Sequence, residues 1–233
     1  MDRERPKPPQ DAMTVRRLRL GIGSVGISLP VVLIVGHLIV TRRPTLLDSL
    51  SGYYHTQMRD IFVGAMCAVG VFLISYRYRR LDDMLGTVAG VLAIVVALFP
   101  TTMGAPAGTV SAADRATGMV HQAAAAALFL LLAVFCLFLF TRPDRAGAPP
   151  GRAANRFYRA CGMLILVAVG LALASTALPA DVRHTVKPVL WCETVAVLAF
   201  GAAWVARSEA LFAASRPPEG APEAGREAAP APS

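Results

Sequence analysis

The sequence predicts an all-α fold, a polytopic transmembrane bundle of about six helices, and three observations carry that prediction. The chain is 55% hydrophobic and only 16% charged, too apolar for a soluble domain of 233 residues. Stretches of roughly 18 to 25 residues nearly free of charge recur along it, each long enough to cross about 30 Å of hydrocarbon at about 1.5 Å per residue. Such stretches must be helical, because an isolated strand in lipid leaves its amides and carbonyls unpaired.

The spans fall near residues 20–40, 58–76, 84–101, 116–140, 157–178 and 187–206. Basic residues precede the first, as in a secretory signal, but it is too long and lacks a small-residue cleavage pattern. It reads as a retained helix with a bend at Pro30. The second opens on Arg59 and Asp60, and the third carries "GTVAG", with Gly86 and Gly90 at helix-packing spacing. "GAMCA" (Gly64, Ala68) and "AAAAA" at 123–127 give the second and fourth spans similarly smooth faces, suited to close backbone approach or to an oligomer contact. "SAAD" at 111–114 is a capping-box variant ahead of the fourth span, and Pro188 suits the first turn of the sixth. Cys67, Cys136, Cys161 and Cys192 all fall inside spans without CxxC spacing, so neither a disulfide framework nor a cysteine metal site follows.

Lys and Arg remain preferentially on the cytoplasmic side of short loops. Seventeen of the 23 fall on one side if the termini share it, including Arg16, Arg17 and Arg19, "RYRR" at 77–80 and the segment from Arg142 to Arg156. Both termini are therefore expected to be cytoplasmic. The net charge of +8 then reflects topology and anionic head groups, and no nucleic-acid partner is expected. Residues 1–17 and 209–233 read as disordered flanks of an 18–208 bundle, the tail "EALFAASRPPEGAPEAGREAAPAPS" being rich in Pro, Ala, Gly and Glu.

With that orientation all four histidines, His37, His55, His121 and His184, lie toward the outer side. Asp60 opens the second span and Glu193 lies about two turns into the sixth. A carboxylate at membrane depth costs on the order of 2–3 kcal/mol and is normally turned toward a partner inside the bundle. An outward-facing pocket among spans two, four and six follows, with Tyr54, His55, Arg59, Asp60, His121 and Glu193 as its candidate residues. Ordinary structural roles compete: Asp60 suits a helix N-terminus, Thr56 can cap it, and Tyr53, Tyr54 and Trp191 sit where aromatic belts form.

Three chemistries suit such a pocket. It can hold a lipid head group, a small ligand or a partner helix. Histidine and carboxylate ligands around zinc would make a hydroxide for lipid ester or amide hydrolysis, with His55, Asp60, His121 and Glu193 as the working residues. Carboxylate and histidine beside water could also relay protons or bind a cation in a transporter. No HExxH, GxSxG or P-loop pattern points to an enzyme.

"SGYYHTQMRDIFVGAMCAVGVFLISY", "AGVLAIVVALFPT", "VHQAAAAALFLLLAVFCLFLF", "NRFYRACG" and "ETVAVLAFGAAWVAR", in this order over about residues 45–207, resemble a group of uncharacterised bacterial multi-pass membrane proteins. That likeness implies a polytopic inner-membrane protein and supplies no activity. A remoter resemblance is to the CREST superfamily of alkaline ceramidases and progestin/adiponectin receptor-like proteins, whose Ser-xxx-His, later Asp and final His-xxx-His hold zinc. Ser51 and His55 have the first spacing and Asp60 follows, so that resemblance implies these three as zinc ligands; with His121 of the pocket they make the candidate metal set Ser51, His55, Asp60 and His121. The last span departs from the pattern, with Glu193 and no histidine pair, and six spans stand where that superfamily has seven.

Overall fold

The computed structural model describes residues 9–76, 79–103, 105, 108–143 and 150–214. Every regular element among them is helical. Five helical segments, Met13–Thr41, Arg80–Leu98, Ala112–Leu139, Arg152–Ala177 and Pro188–Ser208, are long and apolar enough to cross a membrane, which marks an integral membrane protein. In chain order the α-helices are α1 (Pro9–Thr41), α2 (Arg59–Ser75), α3 (Arg80–Leu98), α4 (Ala112–Val134), α5 (Arg152–Ala174), the short α6 (Ala180–Val186) and α7 (Pro188–Ala214). With 17 residues, α2 is about 25 Å long at 1.5 Å per residue, shorter than the five membrane-length segments.

The flanks are more helical than composition alone suggests. α1 begins inside the segment read as disordered, and α7 continues past residue 208. Extending a formed helix adds a hydrogen bond per residue without repeating the nucleation cost, and Ala, Leu and Glu favour it. Residues 1–8 and 215–233, where disorder is also expected, lie outside the described residues.

Neighbours in sequence are neighbours in space from α1 to α5, and α7 closes the circuit by packing against both α5 and α1. The result is a ring of six helices. Two seams of it depend on glycine. A Cβ on Gly90 of α3 would stand 2.5 Å from the Gly70 carbonyl of α2, and one on Gly201 of α7 would stand 2.8 Å from the Gly23 carbonyl of α1. Backbones meet there as they do in other small-residue membrane interfaces. Gly64, expected in such a seam, faces open space, and the alanine face of α4 borders a cavity instead of a neighbouring backbone.

The end carrying both termini is tightly filled. α4 continues into a π-helical turn, Phe135–Leu139, in which the Phe140 amide donates to the Phe135 carbonyl. The wider turn brings residues five apart toward one face. Phe135 and Phe140 accordingly both reach Trp204, with ring centroids 5.6 and 5.1 Å away, and Tyr76 and Phe200 complete the contact. Arg19 is buried and donates through its guanidinium to the Tyr76 hydroxyl. Buried Arg207 reaches the Arg142 carbonyl beside the Tyr158 ring. The arginine stems snorkel along aromatic surface.

Candidate functional site

At the opposite end the chain between α1 and α2 folds over the bundle instead of extending away from it. Ser49 accepts a hydrogen bond from the Gly52 amide, and Ser51–His55 form a single 3-10 turn with Ser51, Gly52 and Tyr53 buried. The start of that turn needs acceptors for its free amides. Glu193, in the second turn of α7, supplies one: the Leu50 amide donates to its Oε2 at 2.6 Å. A carboxyl oxygen accepting a backbone amide answers the question of what a membrane-depth acid binds.

A second tie lies just outside. Asp48 accepts from His184 Nδ1 at 2.6 Å and Lys187 Nζ at 2.9 Å, and its carbonyl accepts from the Leu190 amide. Burial pushes the Asp48 carboxyl upward, but the bonds and charges of Lys187 and His184 outweigh that and hold it below the ordinary carboxylate range. The segment from Asp48 to Tyr53 is thus a strap pinned to α6 and α7. Neither Asp48 nor Lys187 stands out in the sequence. The available signal is the Asp-Ser pair beside "SGYY", a turn-forming combination.

Beneath the strap the ring is not filled. α4 and α7 barely touch, and between them lies a cavity of about 180 Å³, beside a second hollow of about 70 Å³ that shares part of its lining. The first is walled by apolar and small side chains, among them Ala125, Ala126 and Phe129 of α4, Ala168 and Ala172 of α5, and Ala196 of α7. Ser51, His121, Ala125, Phe129 and Glu193 border both spaces. His121 is 3% exposed, and its Nδ1 lies 2.7 Å from the Phe99 carbonyl. A carbonyl only accepts, so Nδ1 carries the proton, and in the neutral ring Nε2 is an acceptor. Glu193 and His121 therefore share one cavity, and no ion pair forms between them among the described residues.

The other sequence candidates lie elsewhere. His55 is exposed and its Nε2 donates to the Thr101 carbonyl at 2.6 Å, pinning the turn to the α3–α4 connection. Arg59 lies 4.6 Å over the Tyr54 ring and donates to its hydroxyl, a pair facing outward. Asp60 is exposed in the first turn of α2, where the helix dipole accounts for it. The expected convergence of Asp60 with Glu193 does not occur, and neither does the ligand set Ser51, His55, Asp60 and His121. The 3-10 turn keeps Ser51 at the cavity while the His55 ring, bonded to the Thr101 carbonyl, is not part of its lining, and among the described residues no three His, Cys, Asp or Glu side chains gather as metal ligands would. Sequence reasoning also missed Cys192 and Thr101, which line the cavity wall.

No protein-family model, curated protein or solved structure matches the chain.

Proposed function

We propose that this is a six-span inner-membrane protein, termini cytoplasmic, that binds an amphiphilic molecule in an outward-facing cavity beneath the strap. The ring geometry supports counting α2 as the sixth span, since it fills the place between α1 and α3 as fully as the longer helices fill theirs. The skew of basic residues toward the termini supports the orientation. One observation carries the binding reading: an apolar cavity between spans with Glu193, His121, Ser51 and Thr101 at one end. A space with greasy walls and a few convergent polar groups is the usual form of a small-molecule site.

Cys192 offers a direct test, because it lines the cavity while Cys136 and Cys161 are buried. In a Cys67→Ala background in vesicles, an amphiphile seated in the cavity slows maleimide alkylation of Cys192. Ala126→Phe fills the space and removes that protection. Equal alkylation with and without every amphiphile tried would dispose of the reading.

A further inference from the structure

We infer that the cavity selects amphiphiles whose head is a primary amine, held between the Glu193 carboxylate and His121 Nε2. The inference rests on the binding reading above and adds the chemical class of the ligand.

The charge at the cavity has one sign, while Ser51, Thr101, Gln122 and Thr176 add neutral donors and acceptors to its lining. Glu193 is the acid on its lining, and no lysine or arginine among the described residues borders either hollow. The Leu50 amide bonds Oε2 and the Ser51 amide also faces the carboxyl group, and a carboxylate with about four acceptor sites keeps capacity for a further donor. His121 spends its Nδ1 proton on Phe99 and turns its remaining ring nitrogen into an acceptor as well. A phosphate or carboxylate head would meet the acid and the ring acceptor with only the neutral donors of Ser51, Thr101, Gln122 and Thr176, and no cation, to offset them. A hydroxyl could satisfy one acceptor. An ammonium has three donors and a positive charge, so it can satisfy both acceptors and neutralise the acid. Most basic residues of the protein lie toward the other end; of those near the strap, Lys187 is held by Asp48 and Arg59 by Tyr54, and neither lines the cavity beside Glu193. The apolar walls formed by Ala125, Ala126, Phe129 and Ala168 suit the chain that carries such a head. The shared chemistry is an alkylammonium, available from a free long-chain amine or from the head group of phosphatidylethanolamine.

The experiment uses the full-length protein in phosphatidylcholine vesicles, with Cys67→Ala and the rate of Cys192 alkylation as readout. Dodecylamine, dodecanol and dodecanoate are compared, and phosphatidylethanolamine is doped into the vesicles as a fourth arm. Wild type and Glu193→Gln are measured in identical vesicles, so partition of each amphiphile into the membrane cancels. The expected result is protection by dodecylamine at a concentration about tenfold below that of dodecanol, with dodecanoate weaker still, and loss of the amine preference in Glu193→Gln. Gln keeps an acceptor for the Leu50 amide. Should that variant fold poorly, His121→Asn retains a donor to Phe99, lacks the second ring nitrogen, and is expected to weaken amine protection several-fold. Protection by phosphatidylethanolamine identifies the lipid as the source, and protection by dodecylamine alone identifies a free amine. If dodecanol and dodecanoate protect as well as the amine in wild type, the amine inference falls while the amphiphile cavity stands. If no compound protects, and Ala126→Phe behaves as wild type, both fall together.

Discussion

The two ends of the ring use polar residues in opposite ways. At the end bearing the termini, Arg19 and Arg207 are buried against Tyr76, Tyr158 and Trp204, and aromatic rings fill the space between helices. At the other end, Glu193 accepts from the Leu50 amide, His121 donates to the Phe99 carbonyl, and both border an unfilled cavity. Both sets are ionisable groups at the margins of a membrane bundle. The difference is steric: large rings close the first end, whereas the alanines of α4 and α5 leave the second hollow. Small residues are therefore not uniformly a packing device in this protein. Gly70 with Gly90, and Gly23 with Gly201, bring backbones together, while Ala125, Ala126 and Ala172 preserve volume.

This contrast can be broken most sharply at its filled end. Trp204→Ala removes a fully buried ring shared by Tyr76, Phe135, Phe140 and Phe200. It is expected to cost about 3–5 kcal/mol, read as a large drop in the thermal unfolding midpoint of the purified protein. Next in size is Gly90→Leu at the α2–α3 seam, where even a Cβ meets the Gly70 carbonyl at 2.5 Å. Overpacking of about 1–3 kcal/mol should appear in the same measurement. Ala126→Phe, an enlargement of similar scale at the hollow end, should leave the midpoint within about 1 kcal/mol of wild type, because the new ring has space to occupy. A loss there as large as that of Gly90→Leu would show that the cavity is not available volume.

The strap gives a smaller, pH-dependent effect. Since the folded Asp48 carboxyl titrates below the ordinary value of 3.8, its ties to Lys187 and His184 contribute fully above that value. They are lost as pH falls below it, when the carboxyl protonates in the folded state. Exchange of the Leu190 amide, bonded to the Asp48 carbonyl, should accelerate at that acid limb in wild type. Asp48→Asn should exchange faster at neutral pH and lack the limb. The smallest expectation concerns Arg59→Ala, which removes an exposed contact with Tyr54. It should change stability by no more than about 0.5 kcal/mol and leave Cys192 alkylation unaltered.

Much of the ring is legible from hydropathy. The predicted second span, 58–76, meets a helix at Arg59–Ser75, and the predicted third, 84–101, overlaps Arg80–Leu98. The capping box read from "SAAD" forms with both its reciprocal bonds, Ser111 to the Asp114 amide and Asp114 to the Ser111 amide. These are local features, fixed by composition and by contacts within three or four residues. The candidate site divides differently. Glu193 and His121 are found because an acid or imidazole among apolar residues is visible in any window. Asp60 was conspicuous for the same reason, yet the start of α2 solvates it and its own helix end suffices.

Sequence by itself determined that the chain lives in a membrane, where its helices run and which loops carry positive charge. Hydrocarbon thickness and backbone hydrogen bonding leave few other solutions for such a composition. Only the tertiary structure decided which polar groups meet. Glu193 is 143 residues from Leu50, and their bond depends on a 3-10 turn and a strap whose path no periodicity encodes. The hollow beneath that strap exists because six helices close a ring through α7 while α4 and α7 stay apart, a property of the whole assembly and of no single span.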